Sequence, residues 1–190
     1  MKNRTKLGLF FILVGVLMIF YVSTSYTKVE SITRQPSLHQ GKQRGLSKIH
    51  QIQPGEKIAA IIIPNQKKRI PVYEGTSAEI LKKGAGHYQK SALPGENNNV
   101  ILSGHRDTFF RFLKDLEKND SLILETTEKE YEYKITKFSV VPSKDKTILT
   151  PKPRPVLTLT TCYPFSFIGN APKRYIVTAE LTRKIDIMKN

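Results

Sequence analysis

Val156-Leu157-Thr158-Leu159-Thr160-Thr161-Cys162, followed at once by Tyr163-Pro164, decides how this chain is read. Seven residues of valine, leucine, threonine and cysteine, with no glycine or proline among them, spell a strand. Side chains alternate across a strand, so Leu157, Leu159 and Thr161 share one face and Thr158, Thr160 and Cys162 the other. Pro164 has no amide hydrogen to offer a ladder, so pairing stops near Cys162 and leaves its thiol facing a loop. That loop carries Pro164, Gly169 and Pro172, and a second strand runs from Arg174 to Thr182. If the two strands pair antiparallel, the end of one lies beside the start of the other. Cys162 and Arg174 then meet at one sheet edge despite eleven intervening residues.

Working outward, Lys57–Ile63, Ile70–Tyr73, Asn99–Ser103, Ser121–Glu125, Glu130–Val141 and Thr147–Leu149 read as further strands. Within Glu130–Val141 the apolar phase switches from Tyr131, Tyr133 and Ile135 to Phe138 and Val140, which predicts a bulge near Thr136–Lys137. Two short helices are expected. Ser77 caps one that runs to Lys82–Lys83 and stops at Gly84. The other carries the stripe Phe109, Phe112, Leu113 and Leu116, with Asp107 or Thr108 as its cap and Asn119 as a left-handed exit. That stripe is core packing. Short strands with two small helices predict a mainly β barrel or sandwich.

The chain has 190 residues, enough for one domain and an appendage. Lys2, Arg4 and Lys6 precede an uncharged apolar run from Leu7 to Val22, which Ser23–Tyr26 can extend to the length a bilayer needs. Residues 1–26 read as a basic cytoplasmic tail and transmembrane signal-anchor, with cleavage at a Ser23-x-Ser25 site as the alternative. Residues 27–56 read as an extracytoplasmic linker and residues 57–190 as the folded domain. The net charge is +15, and setting aside the three basic residues of the first 26 leaves 28 cations against 16 acids. Anionic surroundings such as a lipid surface or wall polymer suit that balance. The cations are scattered without a nucleic-acid motif, so no nucleic-acid partner is expected.

Outside the cytoplasm cysteines come in pairs, yet this chain has one. Cys162 is either a small buried hydrophobe or a reactive thiol. A reactive thiol needs an imidazole nearby and a donor for an oxyanion. Arg174 offers the donor, or is a plain surface arginine. His105 follows the strand Asn99–Ser103 and Gly104, at another strand end. His39 and His50 fall in the linker, and His87, in Gly84-Ala85-Gly86-His87-Tyr88, is the rival, packing or lining a cleft in a glycine-flanked loop. Asp107 orients His105, pairs with Arg106 or caps the helix; Thr161 assists the nucleophile or is a simple strand residue. No acidic cluster has convincing calcium-ligand spacing, and neither metal nor cofactor is expected.

Together these residues carry a resemblance. Thr158-Leu159-Thr160-Thr161-Cys162, with Ala171-Pro172-Lys173-Arg174-Tyr175 after it, resembles the nucleophile region of sortases. Gly86-His87-Tyr88, Leu93-Pro94-Gly95-Glu96 and Ser103-Gly104-His105-Arg106-Asp107-Thr108-Phe109-Phe110 resemble the histidine region, most of all of class D. The resemblance runs from about Lys57 to Thr182; Asn119-Asp120 departs from a common Gly-Asp. It implies an eight-stranded sortase β-barrel and a cysteine transpeptidase. Such an enzyme cleaves a carboxy-terminal Leu-Pro-x-Thr-Gly or Leu-Pro-x-Thr-Ala sorting signal after threonine. Cys162 would form the thioacyl intermediate, His105 act as general acid and base, and Arg174 hold the oxyanion and substrate. Implied partners are secreted proteins bearing the signal, a lipid-linked peptidoglycan precursor amine of a Gram-positive wall, and the membrane. The competing expectation is a non-catalytic membrane-anchored module that binds anionic wall polymers.

Overall fold

A computed structural model describes residues 52–166, 169 and 171–187, together with residues 15 and 17–19. Eight strands among the described residues close into a barrel: β1 (Lys57–Ile63), β2 (Lys68–Glu74), β3 (Ala85–His87), β4 (Asn99–Ser103), β5 (Ser121–Glu125), β6 (Lys129–Pro142), β7 (Val156–Tyr163) and β8 (Lys173–Asp186). Their spatial order is β1-β2-β3-β4-β7-β8-β6-β5, with β5 returning to β1. The β2–β3 and β4–β7 pairs are parallel and the others antiparallel.

Alternation builds the core. Leu157 and Leu159 of β7 face inward beside Val177 and Ala179 of β8, and Leu122, Leu124, Tyr133 and Ile135 of β5 and β6 continue the same core. Phe110 and Phe112 plug one end, their rings edge to face at 5.9 Å. β7 is buried along both faces from Val156 to Thr161. The expected bulge is present: the β6–β8 register slips between Ile135 and Lys137. A second slip, between Glu132 and Tyr133, was not expected.

Three local expectations are corrected. Ala85–His87 is a strand, not a loop; glycine hides so short a segment, which takes its shape from pairing with β2 and β4. Thr147–Leu149 is a 3₁₀ turn, not a strand, because the Asp145 carboxylate accepts from the Thr147 amide at 2.6 Å and curls the chain. The Phe109–Leu116 stripe forms a 3₁₀ turn over Arg111–Asp115 rather than an α-helix, without an Asp107 or Thr108 cap. Burial of Phe110, Phe112 and Leu113 fixes the tighter winding. The remaining helix, α1 (Ala78–Leu81), is capped as expected, with Ser77 Oγ accepting from the Ile80 amide at 3.4 Å. Asn119 takes the left-handed conformation at φ 74°.

The transmembrane anchor expected over residues 1–26 lies outside the described residues, apart from residues 15 and 17–19, which are helical. Most of the linker also lies outside them. Among the described residues no helix is long and apolar enough to cross a membrane.

Candidate active site

β7 and β8 run antiparallel with Cys162 in register with Arg174, so the thiol and the guanidinium leave neighbouring backbones at the same rim. β4 lies on the other side of β7. It runs parallel to it, with Ser103 opposite Thr160. Parallel strands end at the same edge, and two further residues along each reach His105 and Cys162. Three remote segments are thereby levelled at one rim by ladder register alone.

The backbone before His105 is tied down. The Gly104 amide donates to the Thr160 carbonyl at 3.2 Å, and Thr161 Oγ1 donates to the Gly104 carbonyl at 2.7 Å in a buried contact. On the far side, the His105 carbonyl accepts from the Phe110 amide at 2.9 Å. A Cβ at residue 104 would come within 2.6 Å of the Phe110 ring, so glycine is what lets that ring close over the peptide bearing His105. The imidazole itself is exposed.

Two hollows meet at these side chains. One, of about 460 Å³, is lined by His105, Cys162 and Arg174 with Arg106, Asp107 and Ser143. The other, of about 290 Å³, is lined by the same three with Thr76, Leu81 and Thr160. Cys162 is a free, half-buried cysteine. Arg174 Nη1 donates to the carbonyls of Ala171 at 3.3 Å and Lys173 at 3.1 Å, which steadies one corner of the fork. Beneath the rim Tyr163, Phe165 and Tyr175 pack together, with Tyr163 and Tyr175 stacked at 5.9 Å and Phe165 edge-on to Tyr175 at 5.2 Å. Burial, and next the neighbouring Tyr163, push the Tyr175 phenol above its ordinary range.

The rival histidine is elsewhere. His87 is buried, with Nδ1 2.7 Å from Glu74 Oε2 and Nε2 2.9 Å from the Ala92 carbonyl, and it lines neither hollow. It fastens β2 to β3 and the following loop. Glu74 was not singled out in the sequence, although the alternation Ile70, Val72, Glu74 points it inward. Asp107 lines the larger hollow, but among the described residues no hydrogen bond joins it to the His105 ring. Thr161 grips the Gly104 peptide rather than the nucleophile. Thr76, Leu81 and Ser143 were missed, because only the closed barrel brings their segments to the rim. Among the described residues no three His, Cys, Asp or Glu side chains gather as metal ligands would.

A nucleophile-type thiol beside an imidazole and an arginine at the rim of an eight-stranded barrel invites comparison with known proteins. The sortase domain model matches residues 61–182. Sortase D of Bacillus subtilis is 47% identical over 124 residues, 65% of this chain and 63% of that protein. The chain therefore spans less than two thirds of that relative's length. Among solved structures, the catalytic domain of B. anthracis SrtD is 40% identical with a TM-score of 0.61, covering 78% of this chain and 98% of that one. The SrtA sortase from Actinomyces oris is 29% identical with a TM-score of 0.67, covering 72% and 86%. Motif order, barrel topology and these likenesses agree, and the chain belongs to the sortase family.

Proposed function

We propose that this chain is a membrane-anchored cysteine transpeptidase. It cuts a carboxy-terminal Leu-Pro-x-Thr-Gly or Leu-Pro-x-Thr-Ala sorting signal after threonine and passes the protein to an amine of a cell-wall precursor. The observation that carries the reading is the convergence of Cys162, His105 and Arg174 on one cleft from three separate strands. The Cys162 thiolate attacks the threonine carbonyl carbon, and the π pair moves onto oxygen. Arg174 keeps donors on Nε and Nη2 for that oxyanion. Collapse breaks the C–N bond while the His105 imidazolium protonates the departing amine. The thioester retains the energy of the cleaved amide, so no nucleotide is needed. An incoming amine attacks it, His105 takes the amine proton, and the C–S bond breaks to return the thiolate.

The basic tail and apolar run of residues 1–26 support a single membrane pass with the N-terminus in the cytoplasm, residues 27–56 as spacer and the barrel outside. The net charge of +15 suits an anionic wall, and it also favours the second reading, a wall-polymer binding module. An internally quenched sorting-signal peptide separates the two. Wild type cleaves it and transfers the acyl group to an added amine, Cys162→Ala does neither, and mass spectrometry finds the acyl group on Cys162. Cleavage that survives Cys162→Ala refutes the proposal, and salt-sensitive wall binding with no turnover selects the binding module.

A further inference from the structure

Thr160 stands two residues before Cys162 on the same face of β7, with Ser103 of β4 and Ile176 of β8 as register partners. It is 8% exposed and lines the smaller hollow together with Thr76, Leu81 and Ser103. Its Oγ1 is closed off from solvent and meets no hydrogen-bond partner. The neighbouring hydroxyls of the strand are both engaged: Thr158 Oγ1 donates to Asn99 Oδ1 and Thr161 Oγ1 to the Gly104 carbonyl, each at 2.7 Å. A buried hydroxyl without a partner is worse for the resting fold than the methyl of a valine of the same shape. The hydroxyl therefore works against stability where it stands. One step of χ1, about 120°, carries the hydroxyl to another staggered position, turned to the hollow.

We propose that Thr160 is a peptide-binding residue, whose hydroxyl donates a hydrogen bond to a backbone carbonyl of the acyl-donor peptide lying in the smaller hollow. The proposal rests on the reaction described above and adds to it which hollow takes the acyl side. Spacing locates the contact. Thr160 and Cys162 are two strand residues apart, about 6.6 Å, and an extended peptide advances about 3.3–3.6 Å per residue. With the scissile carbonyl at Cys162, Thr160 lies level with the residue two places before the threonine, which is the proline of the signal. Proline has no N–H, so its carbonyl is the only backbone group it can offer, and the hydroxyl must donate. The larger hollow, with Arg106, Asp107 and Ser143, then receives the departing and incoming amines.

The test uses the full chain in detergent micelles and an internally quenched Leu-Pro-Ala-Thr-Gly peptide. Thr160→Val lowers kcat/KM by about 3–10-fold, the loss of one neutral hydrogen bond. It leaves the thermal midpoint at or above wild type and the rate of Cys162 alkylation by iodoacetamide unchanged. Thr160→Ser, which keeps the hydroxyl, stays within about twofold of wild type. In a Cys162→Ala background the same valine change weakens peptide binding measured by fluorescence anisotropy. A valine variant with wild-type kcat/KM and binding, or one that melts below wild type, overturns the assignment. If wild type leaves the peptide uncut, the reaction as proposed fails, and the binding comparison judges Thr160 alone: equal affinity refutes its role and weaker affinity for the valine form supports it.

Discussion

Removing the Thr161 hydroxyl tests how the histidine is held. Thr161 is 3% exposed, and its Oγ1 donates at 2.7 Å to the Gly104 carbonyl, the acceptor in the peptide unit that carries the His105 amide. Thr161→Val keeps the side-chain shape and leaves that carbonyl buried without its donor. Such a loss costs about 1–3 kcal/mol, which in a barrel of this size lowers the thermal midpoint by about 3–15 °C. The second effect is on chemistry. The peptide bearing His105 is free to shift, and the general acid–base role proposed for that imidazole is worth about 10²–10⁴ in rate. A partial misplacement is expected to lower kcat about tenfold with KM little changed. Calorimetry and steady-state cleavage of a sorting-signal peptide read the two effects separately, and Thr161→Ser restores both. If Thr161→Val melts early yet keeps wild-type kcat per folded molecule, the hydroxyl only braces the barrel and the positioning argument is wrong.

Other changes probe the remaining supports. Gly104→Ala places a Cβ within 2.6 Å of the Phe110 ring, and overpacking of this kind costs about 1–3 kcal/mol; a denaturation midpoint equal to wild type would count against it. Glu74→Ala leaves the buried His87 Nδ1 without its hydrogen-bond partner, costing about 1–3 kcal/mol in urea unfolding while turnover per folded molecule persists. Arg174→Lys keeps the charge but not the planar fork, and is expected to lower kcat/KM by about 10²–10³ with no loss of Cys162 alkylation. Activity near wild type would show that charge alone suffices.

Much of this was readable from the chain because its signals were local. Val156–Cys162 alternates without interruption, and proline marks where it ends, so the strand and the thiol at its tip could be placed from a few residues. The bulge near Thr136 announced itself as a change of apolar phase. The failures have a common physical origin. Ala85–His87 has two small residues and no pattern of its own, and only its neighbours on both sides make it a strand. The Phe109–Leu116 stripe has helical spacing, yet tertiary burial winds it more tightly. At the rim, Cys162, His105 and Arg174 were visible as strand-end residues. Thr160 and Thr161 looked like ordinary strand threonines. What separates them is which hydroxyl finds an acceptor, and that depends on where β4 comes to lie.

The parallel ladder between β4 and β7 also has a kinetic consequence. Asn99 pairs with Val156 and Thr161 reaches back 57 positions to Gly104, so the imidazole and the thiol become neighbours only after a large loop has closed. Contacts this distant along the chain form late, because closure entropy must be met before they return any stabilisation. A nascent or partly folded chain therefore carries an ordinary, unassisted cysteine. The cleft that the proposed reaction needs arrives with barrel closure itself, so on that proposal a half-made chain has no means of acylating itself on passing polypeptides.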